Sequence, residues 1–321
     1  MLKMVSAIAA FVIAAGPAHA ERLFDEPLIE AAELAAALGH KDLAIIDIRN
    51  RIDGGSQEVF DQAHIPGSVY SNYLEAGWRV EEDGVVGVIP AVQALEALVG
   101  SLGVDNDDHV VLVYGGKNAT DFGSAARIYW TLKFLGHDQV SILNGGFREW
   151  QRDPERPIAT GSVVPEAASF SAEPRSELLI ATDEVQQTLQ NDGYMRVDAR
   201  PYGQHVGQSK APMAARHGRI PDSVGLENAL FVDPETGKVR SAKALRAIVP
   251  AEIVTGDHTI ISYCNTGHWA SVNWFVMSEL LGYDNVRLYD ASIAGWSLDP
   301  DREMNVGEQL LNTLSRWVDQ G

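Results

Sequence analysis

The chain holds one cysteine, Cys264, within the stretch "IISYCNTGHWAS" at 260–271. It follows a short apolar, β-branched run and opens onto a loop containing Gly267. A side chain just past a central strand, with a helix to follow, lies where open α/β sheets bind ligands. A loop there turns several backbone N–H groups toward one point, and the start of the following helix adds positive potential. Such surroundings favour the thiolate. The expectation is a nucleophilic Cys264 thiolate in an anion cradle lined by the amides of Asn265, Thr266, Gly267, His268 and Trp269. Gly267 lets the backbone curl without a side chain in the way. The competing reading is an inert buried thiol acting as a small hydrophobe.

Compartment bears on that choice. Residues 1–20 combine Lys3, an apolar stretch from Val5 to Ala15 and the ending Ala18-His19-Ala20, the pattern of a secretory signal peptide cut after Ala20. This predicts an exported protein, periplasmic or secreted, with no membrane attachment after the leader is removed; the apolar run is short for a bilayer span. In an oxidising compartment cysteines usually pair as disulfides, so an unpaired one is kept buried or kept for use. The formal net charge is −19, and −20 once Lys3 is removed with the leader. That surface argues against nucleic acid and anionic lipid as partners. With 45% hydrophobic and 21% charged residues, the composition is that of an ordinary globular protein. No Cys/His cluster has metal-ligand spacing, so neither a metal nor an organic cofactor is expected.

The elements that must position Cys264 occur twice. "LAIIDIRN" at 43–50 resembles "YMRVDARP" at 194–201, each an apolar run ending in Asp-x-Arg. "AHIPGSV" at 63–69 resembles "GRIPDSV" at 218–224, and "VVLVYG" at 110–115 matches "IISYC", with Gly115 where the second copy has Cys264. "LKFLGHDQVSILNGGFREW" at 132–150 matches "SELLGYDNVRLYDASIAGW" at 278–296. Four matches in one order indicate two copies of one domain. In the second copy "TIISY" reads as a buried strand, "SVNWFVMSELLG" as a helix ending at Gly282 and "NVRLYD" as the next strand, a rhythm that gives a parallel sheet flanked by helices. The predicted division is a leader (1–20), a first domain (22–150), a proline-rich linker ordered against the surface (151–177), a second domain (178–300) and a helical tail (301–321) with Leu310, Leu311, Leu314, Trp317 and Val318 at helical spacing.

The Asp-x-Arg strand ends, "HIPGS" and "RIPDS", "ISYCNTGHW" opening a helix, and the terminal "GGFREW" and "DASIAGW" together resemble the tandem-domain sulfurtransferases of the rhodanese family, over essentially residues 22–300. The resemblance implies two rhodanese-like α/β domains, the first lacking the catalytic cysteine. It also implies a ping-pong reaction in which Cys264 takes sulfur from a small anionic donor as a persulfide and yields it to cyanide or a thiol. Thiosulfate and 3-mercaptopyruvate are the donors it suggests. "CNTG" is nearer to the mercaptopyruvate branch, which implies a proton relay of Thr266, His64 and Asp53, and Arg200 matches an arginine able to contact the donor. Asn265, His268 and Trp269 depart from both branches. A phosphatase would need an arginine at 270, where the chain has alanine. The rival from another class is a non-catalytic carrier or sensor that delivers persulfide to a protein partner; the sequence names no such partner.

Overall fold

The computed structural model describes residues 22–255 and 257–307. The predicted leader and the helical spacing at 310–318 lie outside the described residues. The strands are β1 (Leu28–Ile29), β2 (Leu43–Asp47), β3 (Ser68–Tyr70), β4 (Val80–Glu82), β5 (Val85–Val88), β6 (His109–Val113), β7 (Val140–Leu143), β8 (Tyr194–Asp198), β9 (Ser223–Gly225), β10 (Thr259–Tyr263) and β11 (Val286–Leu288). One parallel sheet runs β1-β7-β6-β2-β3 and the other β11-β10-β8-β9. The two orders coincide from β7 and β11 onward, and a parallel bridge from Leu179 to Leu288 stands where the first sheet has β1. β6 is buried along its whole length, as the apolar run at 110–113 requires when helices cover both faces of a sheet.

The repeated motifs prove to be structural devices used twice. In each Asp-x-Arg the arginine folds back on its own aspartate, Arg49 Nε to Asp47 Oδ1 at 2.9 Å and Arg200 Nε to Asp198 Oδ1 at 2.8 Å. The Ile-Pro turns place Gly67 and Asp222 in the left-handed region, at φ 83° and 54°, as the third residue of a type II turn requires. Each copy ends on a buried tryptophan whose indole N–H donates to the carbonyl seven residues on, Trp150 to Pro157 and Trp296 to Glu303, both at 3.0 Å. Removing either ring would cost about 3–5 kcal/mol.

The predicted helix after Cys264 is present. It begins as the α-helix His268–Trp274, continues as the π-helical turn Phe275–Leu280 and stops before the left-handed Gly282. The linker is laid on the first domain through hydrogen bonds from Ala159 N to His64 O, Ala168 N to Gly100 O and Glu173 N to Leu135 O.

One hydrophobic cluster runs through both copies. It joins them where the Ala119–Phe134 helix crosses His268–Trp274, with Phe275 set edge-on to Phe122 and Tyr129 at centroid distances of 5.6 and 4.8 Å. The hairpin β4–β5 turns through Asp83-Gly84, both left-handed, the signature of a type I′ turn. It reaches over the second copy: Ile89 N donates to Asp290 Oδ2 at 2.7 Å, and a Cβ on Gly87 would lie 3.0 Å from Thr266 Cβ. The second copy returns the gesture, with Tyr114 Oη donating to Gly237 O at 2.9 Å and Gly237 pressed against the carbonyl of Gly116.

Candidate active site

β10 delivers Cys264 to the carboxyl end of the second sheet, where it is 1% exposed. The loop it opens is stapled to the following strand-helix junction. Cys264 N and Gly267 N both donate to Ser292 Oγ, at 3.0 and 3.1 Å, and that hydroxyl donates to Tyr289 O at 2.7 Å. The Cys264 and Asn265 carbonyls accept Ile293 N and Ala294 N at 3.1 and 2.9 Å. Gly267 is left-handed at φ 71°, and any Cβ there would collide with Arg127 Nη1. Among the described residues no protein acceptor meets the amides of Asn265, Thr266, His268 or Trp269. The cradle therefore has four free amides rather than the expected five, because Gly267 N is committed to Ser292.

The side chains expected to bind the donor have other partners. Asn265 Nδ2 donates to Gln204 Oε1 at 2.8 Å, leaving its buried Oδ1 unpartnered. His268 Nε2 donates to Thr120 O and its Nδ1 accepts from Tyr73 Oη, both at 2.7 Å; burial and the nearby Arg79 push its pKa down to about 3, so the ring is neutral. Trp269 Nε1 donates to Thr120 Oγ1 at 3.2 Å. Both rings thus serve the domain interface. Arg200 is buried and held by Asp198 at 2.6 Å and Gly218 O at 3.0 Å, a structural fork like that of Arg49.

The expected relay is not assembled. The His64 ring donates to Phe60 O at 2.9 Å and stacks on Phe60 at 4.0 Å. Asp53 accepts from Gly55 N at 2.6 Å and from Asn50 N at 3.2 Å. It packs against Gly115, where a Cβ would come within 2.6 Å of Asp53 Cβ. No hydrogen bond joins Thr266 Oγ1 to either residue among the described residues. The physical reason is that His64 and Asp53 serve the first copy's own loops, whereas the first-copy groups that reach Thr266 are Gly87 and Arg79, both at the hairpin.

Four residues of the site were not anticipated: Ser292, Tyr73, Arg79 and Arg127. Arg79 Nη1 donates to Tyr73 Oη at 3.0 Å and its Nη2 to Thr266 O at 3.3 Å. Arg127 comes from the Ala119–Phe134 helix and is fully buried. It contacts Asp290 at 3.4 Å, while its Nε and Nη1 have no hydrogen-bond partner among the described residues. Burial and neighbouring Arg79 lower its pKa, opposed by Asp290, Tyr73 and Cys264. A single arginine inside the apolar "FGSAARIYWTL" was the available signal.

A thiol at a parallel strand's carboxyl end, a tight loop and a duplicated domain narrow the field. A model of the rhodanese-like domain matches residues 30–153 and again 181–299. The chain belongs to the rhodanese-like family. A thiosulfate sulfurtransferase of Bos taurus is 32% identical over 243 residues, covering 75% of this chain and 80% of that protein. One of Cricetulus griseus is 30% identical over 255 residues, covering 79% and 84%. The structure of SseA from Escherichia coli, described as a 3-mercaptopyruvate sulfotransferase with the rhodanese fold, superposes with a TM-score of 0.71 at 26% identity, covering 83% of this chain and 98% of that one. The molecule is a tandem rhodanese-like enzyme of the sulfurtransferase class. Its first domain carries Gly115 in place of the cysteine that its second domain holds at 264.

Proposed function

We propose that Cys264 accepts the outer sulfur of thiosulfate and passes it, as a persulfide, to a thiophilic acceptor. The Cys264 thiolate attacks that sulfur; a new S–S bond forms while the donor's S–S bond breaks, and its electron pair leaves with sulfite. Cyanide or a thiolate then attacks the terminal sulfur and returns the electron pair to Cys264. The observation that carries this reading is the thiol set at four unfilled amides, which can hold a negatively charged transferring sulfur. Thiosulfate is favoured over 3-mercaptopyruvate because, among the described residues, no hydrogen bond links Thr266 to His64 or Asp53, which bond to Phe60, Gly55 and Asn50 instead. Sulfite leaves without a proton, whereas the enolate of pyruvate requires one.

The test supplies thiosulfate and 3-mercaptopyruvate separately to the reduced mature protein, following transfer to cyanide and the mass of the intact chain. The expected result is turnover with thiosulfate and a gain of one sulfur on Cys264. Turnover only with 3-mercaptopyruvate would overturn the choice of donor. Loading without turnover would instead support a persulfide carrier. The composition of residues 1–20 supports export as the setting, which N-terminal sequencing of the protein from a periplasmic or culture-medium fraction would test.

A further inference from the structure

The charges around Cys264 do not cancel within the protein. Arg127 and Arg79 bring two guanidinium groups to one end of the loop, and Asp290 is the carboxylate that pairs with Arg127. That carboxylate also accepts Ile89 N–H. Among the described residues no carboxylate forms an ion pair with Arg79. His268, bonded to Tyr73 and Thr120, is neutral. A buried guanidinium with two unmatched nitrogens is costly unless an anion meets it, and Arg127 Nη1 lies directly against Gly267 of the cysteine loop. Two guanidinium groups against one carboxylate leave one positive charge over for an anion that enters the loop.

We propose that Arg127 and Arg79, both from the domain without a cysteine, hold the sulfonate end of the donor while its outer sulfur meets Cys264. The proposal rests on the reading of Cys264 as the sulfur-accepting nucleophile. The planar forks of two arginines suit the three oxygens of a sulfonate. Arg79 is partly exposed at the hairpin and Arg127 fully buried, so the pair grades from solvent to thiol. Donor affinity thus belongs to the first domain and sulfur chemistry to the second.

The experiment compares the full-length wild type with Arg127→Lys, Arg127→Met and Arg79→Gln, using thiosulfate as donor and cyanide as acceptor. Expected are a donor KM raised about tenfold or more in Arg127→Met and Arg79→Gln, an acceptor KM that stays put, and partial recovery in Arg127→Lys. In parallel, thiosulfate binding to Cys264→Ala is measured by calorimetry with and without Arg79→Gln, which alters a partly exposed residue and so spares the core. Loss of that binding supports the proposal. Unchanged donor KM and unchanged binding in Arg79→Gln and in folded Arg127→Lys would overturn it while leaving Cys264 as nucleophile. A wild type that neither gains sulfur on Cys264 nor turns over would overturn the underlying reading, and the proposal with it.

Discussion

Residues 115–121 and 264–270 leave their sheets at equivalent points, and both lead into helices, beginning at Ala119 and His268. In the first loop the amides of Gly115, Gly116 and Lys117 all donate to the Asp121 carboxylate, at 3.3, 2.7 and 2.8 Å. In the second, Ser292 Oγ takes Cys264 N and Gly267 N, and four amides have no protein acceptor among the described residues. Where the second copy has Ser292, the first has Gly146, with no side chain to frame the loop. Asp53 fills the space in which a thiol at 115 would sit. The same backbone is therefore closed on itself in one copy and open to an anion in the other. Cysteine loss is only part of what separates them.

The contrast is tested most severely at the thiol itself. Cys264→Ser should lower sulfur transfer by at least about 10³-fold with the melting curve preserved; retained turnover would assign the chemistry elsewhere. Next comes the attempt to make the second loop resemble the first. Ala270 is the counterpart of Asp121, so Ala270→Asp should direct a carboxylate at the free amides and reduce turnover by about 100-fold. Full activity in a folded Ala270→Asp protein would show that those amides do not hold the transferring sulfur.

Stability tests the first loop. Burial and the adjacent Asp53 raise the Asp121 pKa to about 7, and burial raises Asp53 as well. A carboxyl group with its folded pKa above its unfolded one binds more protons in the native state between those values. Its contribution is thus complete below the unfolded pKa and is lost as pH rises toward 7. Denaturant melts of wild type and Asp121→Asn across pH 4–8 should differ in slope in that direction, and parallel curves would show that Asp121 does not titrate there. The smallest effect is expected from Gly115→Cys. Crowding against Asp53 should cost about 1–3 kcal/mol, and the double variant with Cys264→Ser should stay inactive. Activity in that double variant would show that a thiol alone was missing.

Much of this was legible in the sequence because it repeats. Asp-x-Arg, Ile-Pro and the terminal tryptophans mark elements whose partners lie in the same copy, so their local spacing carries the geometry. Cys264 could be placed at a strand end for the same reason. The groups that reach its loop from the other copy could not: Arg79 and Arg127 arrive at Thr266 and Gly267 through a hairpin and a helix crossing that leave no periodic trace. His64 and Asp53 were assigned to Thr266 by resemblance, yet their nearest demands are the Phe60 carbonyl and the Gly55 amide. Ser292, with φ 50°, holds the loop from a place 28 residues further along the chain. Asp198 illustrates how a small local difference matters. It accepts His205 Nδ1 at 2.9 Å in addition to Arg200, and although burial opposes this, its pKa falls, whereas Asp47 in the matching fork rises through burial.

Asp121 is in effect a ligand tied to its own receptor. A group tethered a few residues away acts at a very high effective concentration, against which a dissolved anion cannot compete. Two homologous loops should therefore yield a stoichiometry of one anion per chain, and a titration that finds a single site describes a duplicated protein with one copy permanently occupied from within.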